Sequence, residues 1–299
     1  MRRNLRDIFN IEESHAPSMH LDIALESAMD GNMISMNYHL TELLYDELSQ
    51  IPNRNNTVSA FRFTKVSFKK NEAIEDNHVI HDILNNSLTL SNPSKFNDPM
   101  DPILRQWITM QQKECKDKAE KKQYKMLSGI LNDNLRMSCL VTPKTKRYKP
   151  EEISIQDCSL LMWAHYADMH KGLCIQYEIN DAVLCKHNDS SHLLKWGDVR
   201  YRDYKPISSD ITIDNALLAK ADCWDYENES RLIYYGKNKM SDDYVTLSGF
   251  PVKAVYLGCR FNRKHIAAVK TLLEAKNIPL CIMKFCKEDI TKVKPYRIL

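Results

Sequence analysis

The segment Trp224-Asp225-Tyr226-Glu227-Asn228-Glu229-Ser230-Arg231 concentrates side chains that can do chemistry. In an extended backbone Glu227, Glu229 and Arg231 share one face, so all three are expected to point into one cleft. Like charges held that close raise each other's proton affinity, whereas a guanidinium keeps one of them ionised. Such a pair suits general-base work or the gripping of a sugar hydroxyl, although a salt-bridged strand uses the same residues. Upstream, Trp163-Ala164-His165-Tyr166 sets Trp163 and Tyr166 at helical i, i+3 spacing, giving aromatic faces for stacking a base and His165 as a donor. A His beside a Tyr is equally at home as a satisfied structural residue. Phe96-Asn97-Asp98-Pro99 reads as a turn, since proline drives Asp98 toward extended geometry and Asn97 can bond the following backbone, or as a ligand-contacting loop. Lys144-Thr145-Lys146-Arg147-Tyr148-Lys149 is a solvated basic loop and also the best local candidate for holding phosphates.

These residues need a scaffold, and the chain is long enough to build one. Its 299 residues are 43% hydrophobic and 27% charged, which fits a globular protein and excludes a disordered one. With 42 basic and 39 acidic side chains the net charge is +3, so no global field recruits nucleic acid or an anionic membrane. No apolar run approaches the ~20 residues that span a bilayer, and Met1–Asn10 lacks an apolar signal core, so a cytoplasmic location is expected. Nine cysteines form no CxxC pair, and Cys139, Cys174 and Cys281 lie in apolar runs; packed, reduced thiols are expected and no metal site. None of the seven glycines falls in a GxGxxG or GxxxxGK[ST] pattern, which disfavours a Rossmann dinucleotide fold and a P-loop.

Periodicity predicts helices through Met19–Gln50, broken at Gly31-Asn32, then a linker at Pro52–Asn56. We divide the chain into residues 1–52, a helical N-terminal segment packed on the rest or offered to a partner, and residues 53–299, the main domain. In the latter, strands are expected at Val58–Thr64, Ser87–Leu90, Arg136–Val141, Leu173–Ile179, Val199–Tyr201, Arg231–Tyr235, Tyr244–Leu247, Val252–Leu257 and Pro279–Phe285. Helices are expected at Ile74–Leu84, over 103–131, at Leu160–His170, Asn215–Cys223 and Arg263–Ala275. The mixture implies an α+β fold: a mixed, largely antiparallel central sheet with flanking helices and a helical N-terminal appendage.

The succession Phe96–Pro99, Met162–Ala167, Lys171–Ile175, Val199–Tyr201, Lys220 with Trp224–Arg231, and Val255–Gly258 resembles the bacterial family called domain of unknown function 2971. The resemblance spans about residues 58–285 and implies no chemistry. A weaker similarity to ADP-ribosyltransferases does. Those enzymes carry an Arg or His on an early strand, a Ser on a middle strand and Glu-x-Glu ahead of a later strand; Arg62, Ser138 and Glu227-Asn228-Glu229 stand in that order. The middle strand here reads Arg136-Met137-Ser138-Cys139-Leu140 rather than Ser-Thr-Ser. By that resemblance Arg62 contacts the phosphates of NAD and Ser138 braces the nicotinamide ribose. Glu229 stabilises an oxocarbenium-like transition state, and Glu227 activates the acceptor. The expected site then comprises catalytic Glu229 and Glu227, cofactor-binding Arg62, Ser138, Trp163, Tyr166 and Arg231, and substrate-binding Asn97, Asp98, His165 and Trp224.

The expected activity is therefore NAD-consuming transfer to a protein or nucleic-acid acceptor, in a toxin or phage-defence setting. Two other readings stay open. A metal-dependent nuclease or phosphodiesterase would use Asp98, Asp101, Glu227 and Glu229 as oxygen ligands. A non-catalytic nucleotide- or peptide-binding module would line its pocket with Trp163, Tyr166 and Trp224.

Overall fold

The computed structural model describes residues 16–53, 57–69, 73–98, 101–143, 154–202, 212–287, 289 and 292–299. The basic stretch 144–149 and Pro99 lie outside these. Two antiparallel-packed helices, Ala16–Met29 and Met33–Ser49, begin the described chain; Gly31 adopts φ +73° between them and the Asn32 side chain caps the second through the Ser35 N–H. Their buried residues Ala24, Met36, Leu40 and Leu44 share one apolar core with Leu104, Trp107, Tyr124 and Leu127 from the helices Ile103–Glu114 and Lys118–Asn134. Tyr235 also donates to the Thr41 carbonyl and Lys195 to that of Ser49. The N-terminal helices thus lie outside the sheet yet are packed into the body of the protein.

Among the described residues twelve strands follow one another: β1 Val58–Thr64, β2 Ser87–Ser91, β3 Leu135–Val141, β4 Leu173–Ile179, β5 His192–Asp198, β6 Arg200–Arg202, β7 Ala219–Ala221, β8 Glu229–Gly236, β9 Tyr244–Ser248, β10 Val252–Leu257, β11 Leu280–Phe285 and β12 Val293–Arg297. Ten form one sheet in the order β12-β11-β10-β4-β1-β3-β2-β9, with β8 paired to β3 and to β5. Only β10 and β11 run parallel within it, joined by the helix Arg263–Glu274; β6 and β7 make a separate parallel pair. The fold is α+β with a mixed, largely antiparallel sheet.

The sheet divides at β3, and that division positions the site. Along one edge β3 pairs with β8 over its whole length, from Leu135↔Tyr235 to Val141↔Glu229. On the other edge β1 meets it only at Phe61↔Val141 and β2 only at Ser91↔Met137. Residues 138–140 therefore have no strand partner on that side, which leaves a gap between β1 and β2.

Several predicted elements differ from the observed ones. The helix expected over 103–131 is two helices, because Asp117 caps a fresh start through the Glu120 N–H. The Leu160–His170 helix is a single turn, Leu161–His165, followed by Asp168, Met169 and His170 with φ of 46°, 50° and 67°. Three left-handed non-glycine residues in a row end any helix. Gly172 does not cap it but allows close packing: a Cβ there would lie 2.2 Å from the Thr64 carbonyl oxygen, and one at Gly258 2.1 Å from that of His170. Asn215–Cys223 is not one helix; it is the helix Ile213–Leu217, strand β7 and the 3-10 turn Asp222–Glu227. Ile74–Leu84 is broken at Asn77, which caps the helix His78–Leu84. Strands β5, β7 and β12 and the helix Asp181–Cys185 were not expected.

Candidate active site

Trp224 to Arg231 is not one extended run. Asp222–Glu227 coils as a 3-10 turn, Asn228 turns the chain in the left-handed region (φ 44°, ψ 50°), and β8 begins at Glu229. The two glutamates therefore reach a common point by a turn, not by sharing a strand face. That point is Lys220 on β7, whose ammonium lies 2.5 Å from Glu227 Oε2, 3.0 Å from Glu229 Oε2 and 3.7 Å from Asp101 Oδ2. Pairing of Tyr201 on β6 with Lys220 fixes the register, and the Glu229 N–H donates to the Tyr201 hydroxyl at 2.7 Å.

Arg231 closes the network from below, its side chain fully buried. Its Nε donates to Glu229 Oε1 at 2.7 Å, one Nη to Asp101 Oδ2 at 2.8 Å and the other to the Leu217 carbonyl at 2.6 Å. Three carboxylates thus share two cations in a nearly dry space, where loss of one partner leaves an uncompensated buried charge.

The carboxyls respond differently to this setting. Burial would raise Glu229, but the adjoining Arg231 and Lys220 outweigh it and hold it down at about 2. Glu227 goes the other way: burial lifts it above the ordinary range despite the Lys220 ammonium and the Tyr166 hydroxyl, which donates at 2.6 Å. Asp101 is likewise raised by burial against the pull of Arg231. One carboxylate is fixed as an anion while its neighbour is poised to exchange a proton, the separation by which acid and base roles are divided in carboxylate pairs.

A cavity of about 210 Å³ opens onto this network at the gap in the sheet. Phe61, Phe63, Phe96 and Met162 form apolar walls, and Lys220, Asp101, Glu227, Glu229 and Tyr166 the polar side. Cys139 also faces it, with its thiol donating to Glu229; burial and the nearby carboxylates hold that thiol well above its usual range, so it is protonated. Asp101 Oδ1 is buried without a hydrogen-bond partner among the described residues.

The expected site residues divide into three groups. Glu227, Glu229, Tyr166, Asn97 and Asp98 line this cavity, and Arg231 lies directly behind Glu229. Arg62 and Ser138 also line it, reaching it through the gap in the sheet from the opposite face. Ser138 pairs with Leu232 and Arg62 with Ile175, both in the opposite core, whereas Glu229 pairs with Val141 on the cavity side. Paired residues share a face, and a one-residue step reverses it. Arg62 is instead turned toward Asp82 at 3.7 Å. The phosphate and ribose roles assigned to Arg62 and Ser138 by resemblance would have to be exercised through that gap, from the face opposite Glu229. Trp163 is a core residue, edge-on to Phe63 and stacked on His170. His165 and Trp224 stand outside the cavity with Tyr226 in an aromatic group, Trp224 lying 5.2 Å from the Lys220 ammonium.

Lys220 and Asp101 are the functional residues that sequence reasoning left out of the central site. Of the four carboxylates a divalent-metal reading would use, Asp101, Glu227 and Glu229 are already matched to Lys220 and Arg231, and among the described residues no group of three or more His, Cys, Asp or Glu is placed to hold a metal. No described helix is long and apolar enough to cross a membrane.

Comparison with known families matches residues 162–232 to the family described as "Protein of unknown function (DUF2971)". The matched stretch contains Tyr166, Lys220, Glu227, Glu229 and Arg231, so the buried network is largely built from it. No curated protein and no solved structure matches the chain.

Proposed function

For this chain, whose residues 162–232 match the DUF2971 family, we propose a catalytic pocket that cleaves an N-glycosidic bond, with NAD as donor. The observation that carries this reading is the Lys220-bridged carboxylate pair facing an apolar-walled cavity, with Glu229 held ionised and Glu227 raised. Departure of nicotinamide breaks the ribose C1′–N bond, and the electron pair stays on the pyridine nitrogen. Positive charge builds on the ribose, and the fixed Glu229 carboxylate stabilises it where water is excluded. The acceptor oxygen then bonds to C1′ while its proton passes to ionised Glu227. Lys220 and Tyr166 orient Glu227, and Arg231 holds Glu229 in place. Water as acceptor gives free ADP-ribose; a protein or nucleic-acid nucleophile gives transfer.

The raised Glu227 carboxyl predicts that kcat/KM falls on the acid side at a higher pH than an ordinary glutamate would impose. The direct test is nicotinamide release from NAD by the purified protein, alone and with candidate acceptors. A non-catalytic nucleotide-binding module is supported instead if NAD raises the melting temperature and no nicotinamide appears.

A further inference from the structure

Asp101 sits at the back of the cavity, 6% exposed, with one carboxylate oxygen bound to Arg231 at 2.8 Å and the other bound to nothing described. A buried acceptor without a donor is costly, and such a cost is sustained where a ligand supplies the donor. The donor is a neutral one. Arg231 and Lys220 already match most of the carboxylate charge here, so a neutral N–H suffices as the donor. The walls around it are Phe61, Phe63 and Phe96, with Tyr166 opposite, which favours a flat ring. At about 210 Å³ the space takes one ring system and not a whole dinucleotide.

We propose that Asp101 Oδ1 is the specificity atom of the pocket, accepting a hydrogen bond from an uncharged exocyclic N–H of a flat heteroaromatic group seated between the phenylalanines. The idea rests on the glycosidic reading only for its interest as a substrate rule; the recognition itself stands without turnover. Two ring systems carry this chemistry, a pyridine carboxamide and a 6-aminopurine, and donor-free partners separate them.

Binding to the wild-type protein is measured by calorimetry for nicotinamide against 3-acetylpyridine, and for adenine against purine. Position is read by protection of Cys139 from methylmercury, which binds thiols too weakly ionised to be alkylated, resolved by peptide mass from the other exposed thiols Cys185 and Cys223. The expected result is at least about tenfold tighter binding of the N–H-bearing member in one pair, with Cys139 protected, since sites built around a hydrogen bond reject analogues lacking it. Preference in the first pair identifies the carboxamide, and in the second the aminopurine. Asp101→Asn, checked for an unchanged fold by circular dichroism, should reduce that preference below about threefold or reverse it. Equal binding within both pairs, absence of binding, or preference without protection of Cys139 overturns the proposal. Donor preference without nicotinamide release from NAD leaves this inference intact and removes the glycosidic reading; release from NAD with equal binding does the opposite.

Discussion

Replacing Lys220 with Met tests whether the buried network behaves as one unit. The ammonium holds Glu227, Glu229 and Asp101 at 2.5, 3.0 and 3.7 Å, and the side chain is 7% exposed. Met fills similar space without the charge, so three carboxylates are left to Arg231 alone. Removing one partner of a buried ion pair costs about 3–5 kcal/mol. At roughly 2–4 °C per kcal/mol for a large domain, the melting temperature should drop by on the order of 10 °C. The loss should depend on pH with a definite sign. Without Lys220, the already raised Glu227 and Asp101 carboxyls rise further, and a raised acid weakens the fold as pH climbs from its unfolded toward its folded pKa. The deficit relative to wild type is therefore largest near pH 8 and smaller near pH 5. Glu227→Gln in the same background should restore part of it, giving a coupling in a double-mutant cycle of about 1–3 kcal/mol. The assay is thermal unfolding by circular dichroism across that pH range. A variant that melts within about 1 °C of wild type at pH 8, or whose deficit grows on acidification, refutes the reasoning.

Other consequences are simpler. Ser138→Ala should leave any activity within about twofold, because the side chain lies on the Leu232 face and not beside Glu229; a loss of two orders of magnitude would restore the ribose-bracing role. Gly258→Ala should destabilise by about 2 kcal/mol or more, since its Cβ would press on the His170 carbonyl at 2.1 Å, and urea unfolding measures it. Glu229, held at about 2 against an ordinary 4.5, contributes stability that is present above pH ~4.5 and lost as pH falls toward 2. Glu229→Gln should accordingly flatten the acid limb of a melting-temperature profile. It should also lower stability at pH 7, since a Gln amide facing Arg231, Lys220 and Cys139 puts a donor where only acceptors fit.

Elements with strong local signals were legible in the sequence. Val58–Thr64, Leu173–Ile179 and Val252–Leu257 were located to the residue, because each is an apolar-rich or alternating run closed by polar or glycine-bearing turns. Strand β5 was missed because Lys195 and Gly197 interrupt its pattern; the first reaches across to the Ser49 carbonyl and the second makes room for Leu218. The carboxylates at 227 and 229 and the aromatic Tyr166 were recognisable by type and spacing. Lys220 was not, since Leu217-Leu218-Ala219-Lys220-Ala221 has helical composition and its short strand exists only through pairing with β6. The faces that Arg62 and Ser138 present were hidden for a related reason. Chain order shows which strand a residue is on, but the face it presents depends on long-range register, and one step of parity moves it to the opposite side of the sheet. Asp101 read only as a candidate metal ligand; its unpaired oxygen is a property of packing alone.

The most direct test of the catalytic reading is nicotinamide release from NAD by wild type and Glu227→Gln. Gln can keep its oxygen toward Lys220 and its amide toward the Tyr166 hydroxyl, which can turn to accept, so the fold is expected to be preserved. Wild type should release nicotinamide, and the variant should melt within a few degrees of it while turning over about 10²-fold or more slowly. No release by wild type under any acceptor condition, or equal release by the variant, would contradict the account.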